Sequence, residues 1–297
     1  MTTSSLTSPA PGRYRSDLIL YLAIAFALSW ACWFTAAGLG GSATSPPAAA
    51  PYVLGAFGPA IAALVVRIRR RWRGEPAPAN AVPFRRATLP WAPLLLVLAS
   101  ATVLVAAVIA HAAGGPGFSA QDAKDAIDKA NGPAAFLFGI LVTGPLSEEP
   151  GWRGTAYPRM RASMGRFHAG LTLGVIWAVW HLPLFLITGS QQHKLGLTSP
   201  NGVLFTVSVV PMALLTGYAY ERAGIVASMA VHFATNLTMV LLNVTAPVTL
   251  AMIIGIQGIV AVVLLATARF PAAQPAAPAP ATVLPAGAQP DTSTWAH

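Results

Sequence analysis

Apolar residues in this chain run in long, nearly unbroken stretches instead of alternating with polar ones. Eight such stretches lie near residues 18–39, 52–66, 91–110, 134–149, 169–188, 202–220, 225–243 and 247–268. A helix needs roughly 20 mostly apolar residues to cross ~30 Å of hydrocarbon. The pattern therefore predicts an all-α, polytopic integral membrane protein of about eight transmembrane helices, the second and fourth being short. The first stretch is too long for the core of a signal peptide and is read as a retained helix. Segments rich in Pro and Ala, such as GGSATSPPAAAP and GEPAPANAVPFRRATLP, suit extended linkers. The expected organisation is a cytoplasmic N-terminal segment over 1–17, a transmembrane helical domain over 18–268, and a disordered Pro/Ala-rich cytoplasmic tail over 269–297. The run SAQDAKDAIDKAN has helical composition, and its row of Asp122, Asp125 and Asp128 reads as a solvated acidic face in preference to a calcium site. No internal repeat is visible, so an inverted-repeat transporter gains no support.

Composition agrees with the membrane reading, with 55% hydrophobic residues, 9% charged residues and a mean hydropathy of +0.61. The formal net charge of +9 would suit a nucleic-acid partner. The distribution of the basic residues explains it differently. With the N-terminus in the cytoplasm, all fifteen arginines fall on that side: Arg13 and Arg15, the seven between Arg67 and Arg86, the four between Arg153 and Arg166, then Arg222 and Arg269. Lys124, Lys129 and Lys194 are left outside, offset by the three aspartates. That is the positive-inside bias, and it predicts a multi-pass cell-membrane protein with both termini cytoplasmic and no nucleic-acid partner. Cys32 is the single cysteine, so no intrachain disulfide forms and redox chemistry is not the main business. Many arginines, few lysines and abundant Ala, Gly and Pro suggest a GC-rich bacterial genome.

Against this background, polar residues inside the apolar stretches stand out. Glu148 and Glu149 are adjacent in SEEPGWRG, in a chain with four glutamates. An ionised side chain near the centre of a membrane helix costs ~2.5–3.5 kcal/mol on insertion scales, which makes function the default hypothesis. Neighbouring helical residues differ by ~100°, whereas residues four apart share a face. Glu149 can therefore pair with Arg153, while Glu148 has no sequence-local partner and is the candidate general base. Pro150 lacks an amide donor and clashes with the carbonyl of Leu146, so the helix either kinks there or restarts. His181 follows Trp177 by one turn and precedes Pro183. His232 and Asn236 are four apart on one face of the seventh stretch. Each of these pieces has a structural reading too, since interhelical hydrogen bonds in membranes use the same residue types. His111, His168 and His193 lie at span ends or in loops, and the sequons at Asn236 and Asn243 lie inside an apolar stretch.

The ordered series EExxxR, aromatic-xxx-His and HxxxN, at Glu148, Glu149 and Arg153, then Trp177 and His181, then His232 and Asn236, resembles the CPBP intramembrane protease family. That family includes type II CAAX prenyl endopeptidases and bacteriocin-processing or immunity-associated proteins. The resemblance covers a protease-like core over 134–243 and departs at Trp177, where the family more often has Phe, read as an exchange of packing surface. It implies helices enclosing a polar cavity open toward the cytoplasm and an endopeptidase acting on a peptide or a membrane-anchored protein. Glu148 would activate a water, Glu149 and Arg153 would orient the site, His181 would hold the water or assist Glu148, and His232 with Asn236 would stabilise an oxyanion. No required cofactor is expected. Should a metal such as zinc be present, Glu148, His181 and His232 are the ligands expected to hold it. The competing readings are a non-catalytic scaffold or immunity protein and a proton-coupled transporter.

Overall fold

The computed structural model describes residues 11–269 apart from Ala79; the proposed disordered tail lies outside the described residues but for Arg269. Among the described residues the secondary structure is entirely helical: α1 (Pro11–Leu39), α2 (Ala49–Ala56), α3 (Gly58–Trp72), α4 (Thr88–Ala112), α5 (Ala120–Lys129), α6 (Pro133–Leu141), α7 (Ser147–Gly151), α8 (Tyr157–Met160), α9 (Arg166–Trp180), α10 (Gln191–Leu195), α11 (Pro200–Ala223), α12 (Ile225–Leu241) and α13 (Pro247–Thr267). Among the described residues five helices are long and apolar enough to cross a membrane, and counting each of two bent pairs as one span raises this to seven. The seventh expected span, α12, is a shorter apolar helix of 17 residues. The first helix is already present at Pro11, ahead of the apolar stretch that begins near residue 18.

Local chemistry explains where the helices begin and turn. Proline occupies the first turn of α3, α6, α11 and α13, where its missing N–H is not needed. Ser119 and Ser199 cap α5 and α11 by accepting from the amides of Asp122 and Gly202, each at 3.1 Å. Gly224, at φ +82°, makes the reversal from α11 to α12 in a conformation open to few other residues. On α9, Gly170 and Gly174 are four apart, and a Cβ at either would meet Leu214 Cδ2 at 2.8 Å or Val210 Cα at 2.9 Å. Small residues in this register let α9 and α11 approach closely.

Charged side chains pair in separate clusters near different helix ends. Toward one end Asp17 of α1 accepts from Arg70 at 2.7 Å and from Arg159 at 3.3 Å, tying α1 to α3 and α8. Glu221 of α11 accepts there from Arg161 at 2.5 Å and Arg166 at 2.7 Å, and Arg222 stacks over Trp91 at 4.1 Å. At the opposite end Asn243 Nδ2 donates to Asp122 at 3.1 Å and the amide of Ala43 to the carbonyl of Thr188 at 2.8 Å. The three aspartates of α5 take different partners, Asn243 for Asp122, Gln121 for Asp125 and Lys124 for Asp128, in keeping with a solvated face. Between the ends, large apolar side chains such as Val97, Phe138 and Ile259 point outward, as a lipid-facing surface requires.

Candidate active site

Glu148 and Glu149 sit in the middle of the α6–α8 rod, roughly 22 Å along the helix from Pro133 at ~1.5 Å per residue. The chain neither restarts at Pro150 nor places the glutamates at a helix N-terminus. It stays helical through two π-turns, Val142–Leu146 and Trp152–Ala156, on either side of α7. Wide turns of this kind shift the hydrogen-bond register, accommodate the prolines at 145 and 150, and are frequent at functional sites. Gly151 lets this turn seat against its neighbours, because a Cβ there would lie 2.5 Å from the Tyr21 hydroxyl and 2.6 Å from Pro59.

The two carboxylates point into different surroundings. Glu149, 0% exposed, accepts from Arg153 at 3.0 Å, His232 Nδ1 at 2.9 Å and the Ser228 hydroxyl at 2.5 Å. Both oxygens are thus committed to groups on α12 and on its own rod. Arg153, also 0% exposed, lays its guanidinium over the Trp177 ring at 4.3 Å. Glu148 accepts one hydrogen bond, from Trp177 Nε1 at 2.6 Å, and borders a cavity. Trp177 is therefore more than packing surface: its indole N–H holds the free carboxylate, which a Phe at this position would not do. Here the sequence reading needs correction.

His181 ends α9 and lines the same cavity as Glu148. Its Nδ1 lies 2.8 Å from the Trp177 carbonyl. A carbonyl only accepts, so Nδ1 carries the proton and Nε2 is left for another partner. The ring sits edge-on to Trp180 and Phe205 at 5.0 and 5.9 Å. His232 packs edge-on to Trp177 at 5.2 Å and, with Nδ1 donated to Glu149, likewise has Nε2 left over. Asn236 lies beside it on α12: a Cβ at Gly144 would meet Asn236 Nδ2 at 3.1 Å and His232 Nε2 at 3.3 Å. Gly144, inside the first π-turn, is thus what lets the imidazole and the amide lie against the glutamate helix.

These groups share a cavity of ≈510 Å³ whose wall includes Glu148, Trp177, His181, His232 and Asn236. Glu149 and Arg153 lie behind the wall. The cavity reaches α5 and α10, at the end away from the arginines, and among the described residues no arginine lines it. The expected opening on the arginine-rich side is not what the wall residues form. Thr235 also lines the cavity and has a buried hydroxyl without a hydrogen-bond partner among the described residues. As to a metal, among the described residues no three His, Cys, Asp or Glu side chains are grouped to hold one. Glu148, His181 and His232 share a wall without forming such a set.

Residues 130–238 carry the site residues from Glu148 to Asn236 and match the family of type II CAAX prenyl endopeptidases, Rce1-like. The match agrees with the resemblance that the motifs carry. CAAX prenyl protease 2 of Methanococcus maripaludis is 24% identical over 191 residues, which cover 61% of this chain and 68% of that protein. Together with the apolar helices, the two likenesses support a multi-pass membrane endopeptidase. Sequence reading missed Ser228, Gly144 and Thr235. Ser228 had a signal, since Ser228, His232 and Asn236 recur every four residues and so share a face of α12.

Proposed function

We propose that this protein is an intramembrane endopeptidase in which Glu148 activates water against a peptide carbonyl. The observation that carries this reading is the sharing of one cavity wall by Glu148, His181, His232 and Asn236. The water donates one proton to the Glu148 carboxylate while its other hydrogen is held by His181 Nε2. Its oxygen forms the bond to the carbonyl carbon. Charge developing on the carbonyl oxygen is met by the Asn236 amide, and His232, held through Nδ1 by Glu149, lies beside it. Glu148 then passes its proton to the amide nitrogen as the C–N bond breaks, releasing a carboxylic acid and an amine, and the acid's proton passes on to the amine to leave a carboxylate and an ammonium group. Glu149 and Arg153 act through His232 and Trp177 and are positioning residues.

The substrate class is a peptide or a membrane-anchored protein; the prenylated CAAX sequence named for the relatives is not needed for this chemistry. The test is cleavage of a membrane-anchored peptide library by the protein in liposomes, read by mass spectrometry, for wild type and Glu148→Ala. Loss of cleavage with unchanged helical content and melting supports the proposal. Wild-type rates in the variant would overturn it, and proton-coupled uptake without cleavage would favour a transporter.

A further inference from the structure

The cavity has two unlike ends. On the arginine side of Glu148 lie Glu149, Trp152, Arg153 and Ser228, each 0% exposed. Beyond them the buried Asp17, Arg70 and Arg159 tie α1, α3 and α8 together. That end is plugged. On the other side the wall continues to Asp122, Asp125 and Lys129 of α5 and to Gln191, Gln192 and Lys194 of α10, residues only partly buried or exposed. α5 leans over this end and is tied to the end of α12 by the Asn243–Asp122 hydrogen bond of 3.1 Å.

Charge orients the two ends. From Arg15 onward, the described arginines other than Arg153 lie toward the plugged end, and all three lysines lie toward the open one. Membrane proteins keep their arginines on the cytoplasmic side. We propose that the substrate enters from the extracytoplasmic side, through a mouth walled by α5 and α10, as an extended segment of a membrane-anchored polypeptide. This deepens the endopeptidase reading and rests on it for the word substrate. The mouth balances two carboxylates against two ammonium groups, so it selects no net charge, and Gln191 and Gln192 offer amides to a polar backbone. Deeper in, Trp33, Tyr52, Trp180 and Phe205 line the path to Glu148 with aromatic surface. A volume of ≈510 Å³ lies within the ~300–1,000 Å³ of ligand-sized clefts and admits a few residues in extended form, not a folded domain. The occupant that fits has polar residues at the membrane surface and apolar side chains leading into the cavity.

The test uses the natural scarcity of thiols. In a Cys32→Ser background, Gln192→Cys places a thiol in the mouth and Arg86→Cys places one at the plugged end. Intact expressing cells are treated with a bulky membrane-impermeant maleimide, and each variant is then purified and assayed. Gln192→Cys is expected to label in intact cells and to lose at least tenfold in cleavage rate on labelling. Arg86→Cys is expected to label only after lysis and to keep its rate. Asp125→Cys is the second mouth variant should Gln192→Cys fold poorly. The reverse labelling pattern would overturn the inference, as would full activity of the labelled mouth variants, which would mean entry elsewhere, such as sideways from lipid. Sidedness is read without any cleavage, so a failed Glu148→Ala test would remove the proteolytic reading and leave the labelling result standing.

Discussion

On one side of α7, Glu149 spends both oxygens on Arg153, Ser228 and His232 in a layer closed to solvent; on the other, Glu148 takes one hydrogen bond from Trp177 and borders open space. The residues are adjacent, and the ~100° between neighbours on a helix separates them. A buried carboxylate ringed by donors is a fixed part, used to set the position of other groups. One held at a single atom and facing a cavity retains lone pairs for a water. The lesson is that an acidic pair in a membrane helix can divide into a scaffold half and a chemical half, so the two should respond differently to the same substitution.

The sharpest break in that comparison is Glu148→Gln, which keeps the shape and removes the base. General-base catalysis contributes ~10²–10⁴-fold, so cleavage should fall by that order while the melting temperature stays near wild type. Glu149→Ala should act on the fold as well, destabilising it by about 3–5 kcal/mol because Arg153 is left buried without its carboxylate. Thermal melting in detergent beside a cleavage assay measures both. If Glu149→Ala melts like wild type and Glu148→Gln does not, the assignment of roles is inverted.

A finer test is Trp177→Phe. It keeps most of the ring surface under Arg153 and deletes the N–H that reaches Glu148 at 2.6 Å. A hydrogen bond to a charged group contributes about 1.5–3 kcal/mol, so kcat should fall roughly 10- to 100-fold. KM should change little, since the indole N–H is spent on Glu148. An unchanged kcat would return Trp177 to the role of packing surface.

How much of this was legible follows from which forces are local. Unbroken apolar runs reported the helices because each must bury or shield its own backbone. The Glu149–Arg153 pair and the His232–Asn236 stripe were legible because i, i+4 spacing puts them on one face. Trp177 reaching Glu148 was not, since that contact joins two helices 29 residues apart and depends on how closely Gly170 and Gly174 let α9 pack. Pro150 left a kink and a restart both open, because proline rules describe an α-helical register and the chain adopts π-turns on either side of it. The side on which the cavity opens was equally hidden: depth along each helix is countable, but which end is plugged depends on the packing of Trp152, Arg153 and Ser228 between helices.

The smallest expected effect is that of a chelator, and it bears on the same division of labour. His232 is bound through Nδ1 to Glu149, and His181 through Nδ1 to the Trp177 carbonyl. Metal-bound histidines are often oriented by such second contacts, so these bonds alone decide nothing. What decides the expectation is the donor set: a catalytic zinc takes three protein ligands at ~2.0–2.3 Å around one point, and no three candidate side chains among the described residues are grouped that way. Cleavage should therefore stay within about twofold after exhaustive chelation. Loss of activity restored by added zinc would instead require Glu148 to swing toward the imidazoles, which means breaking its bond to Trp177, and then Trp177→Phe should tighten metal binding instead of slowing cleavage.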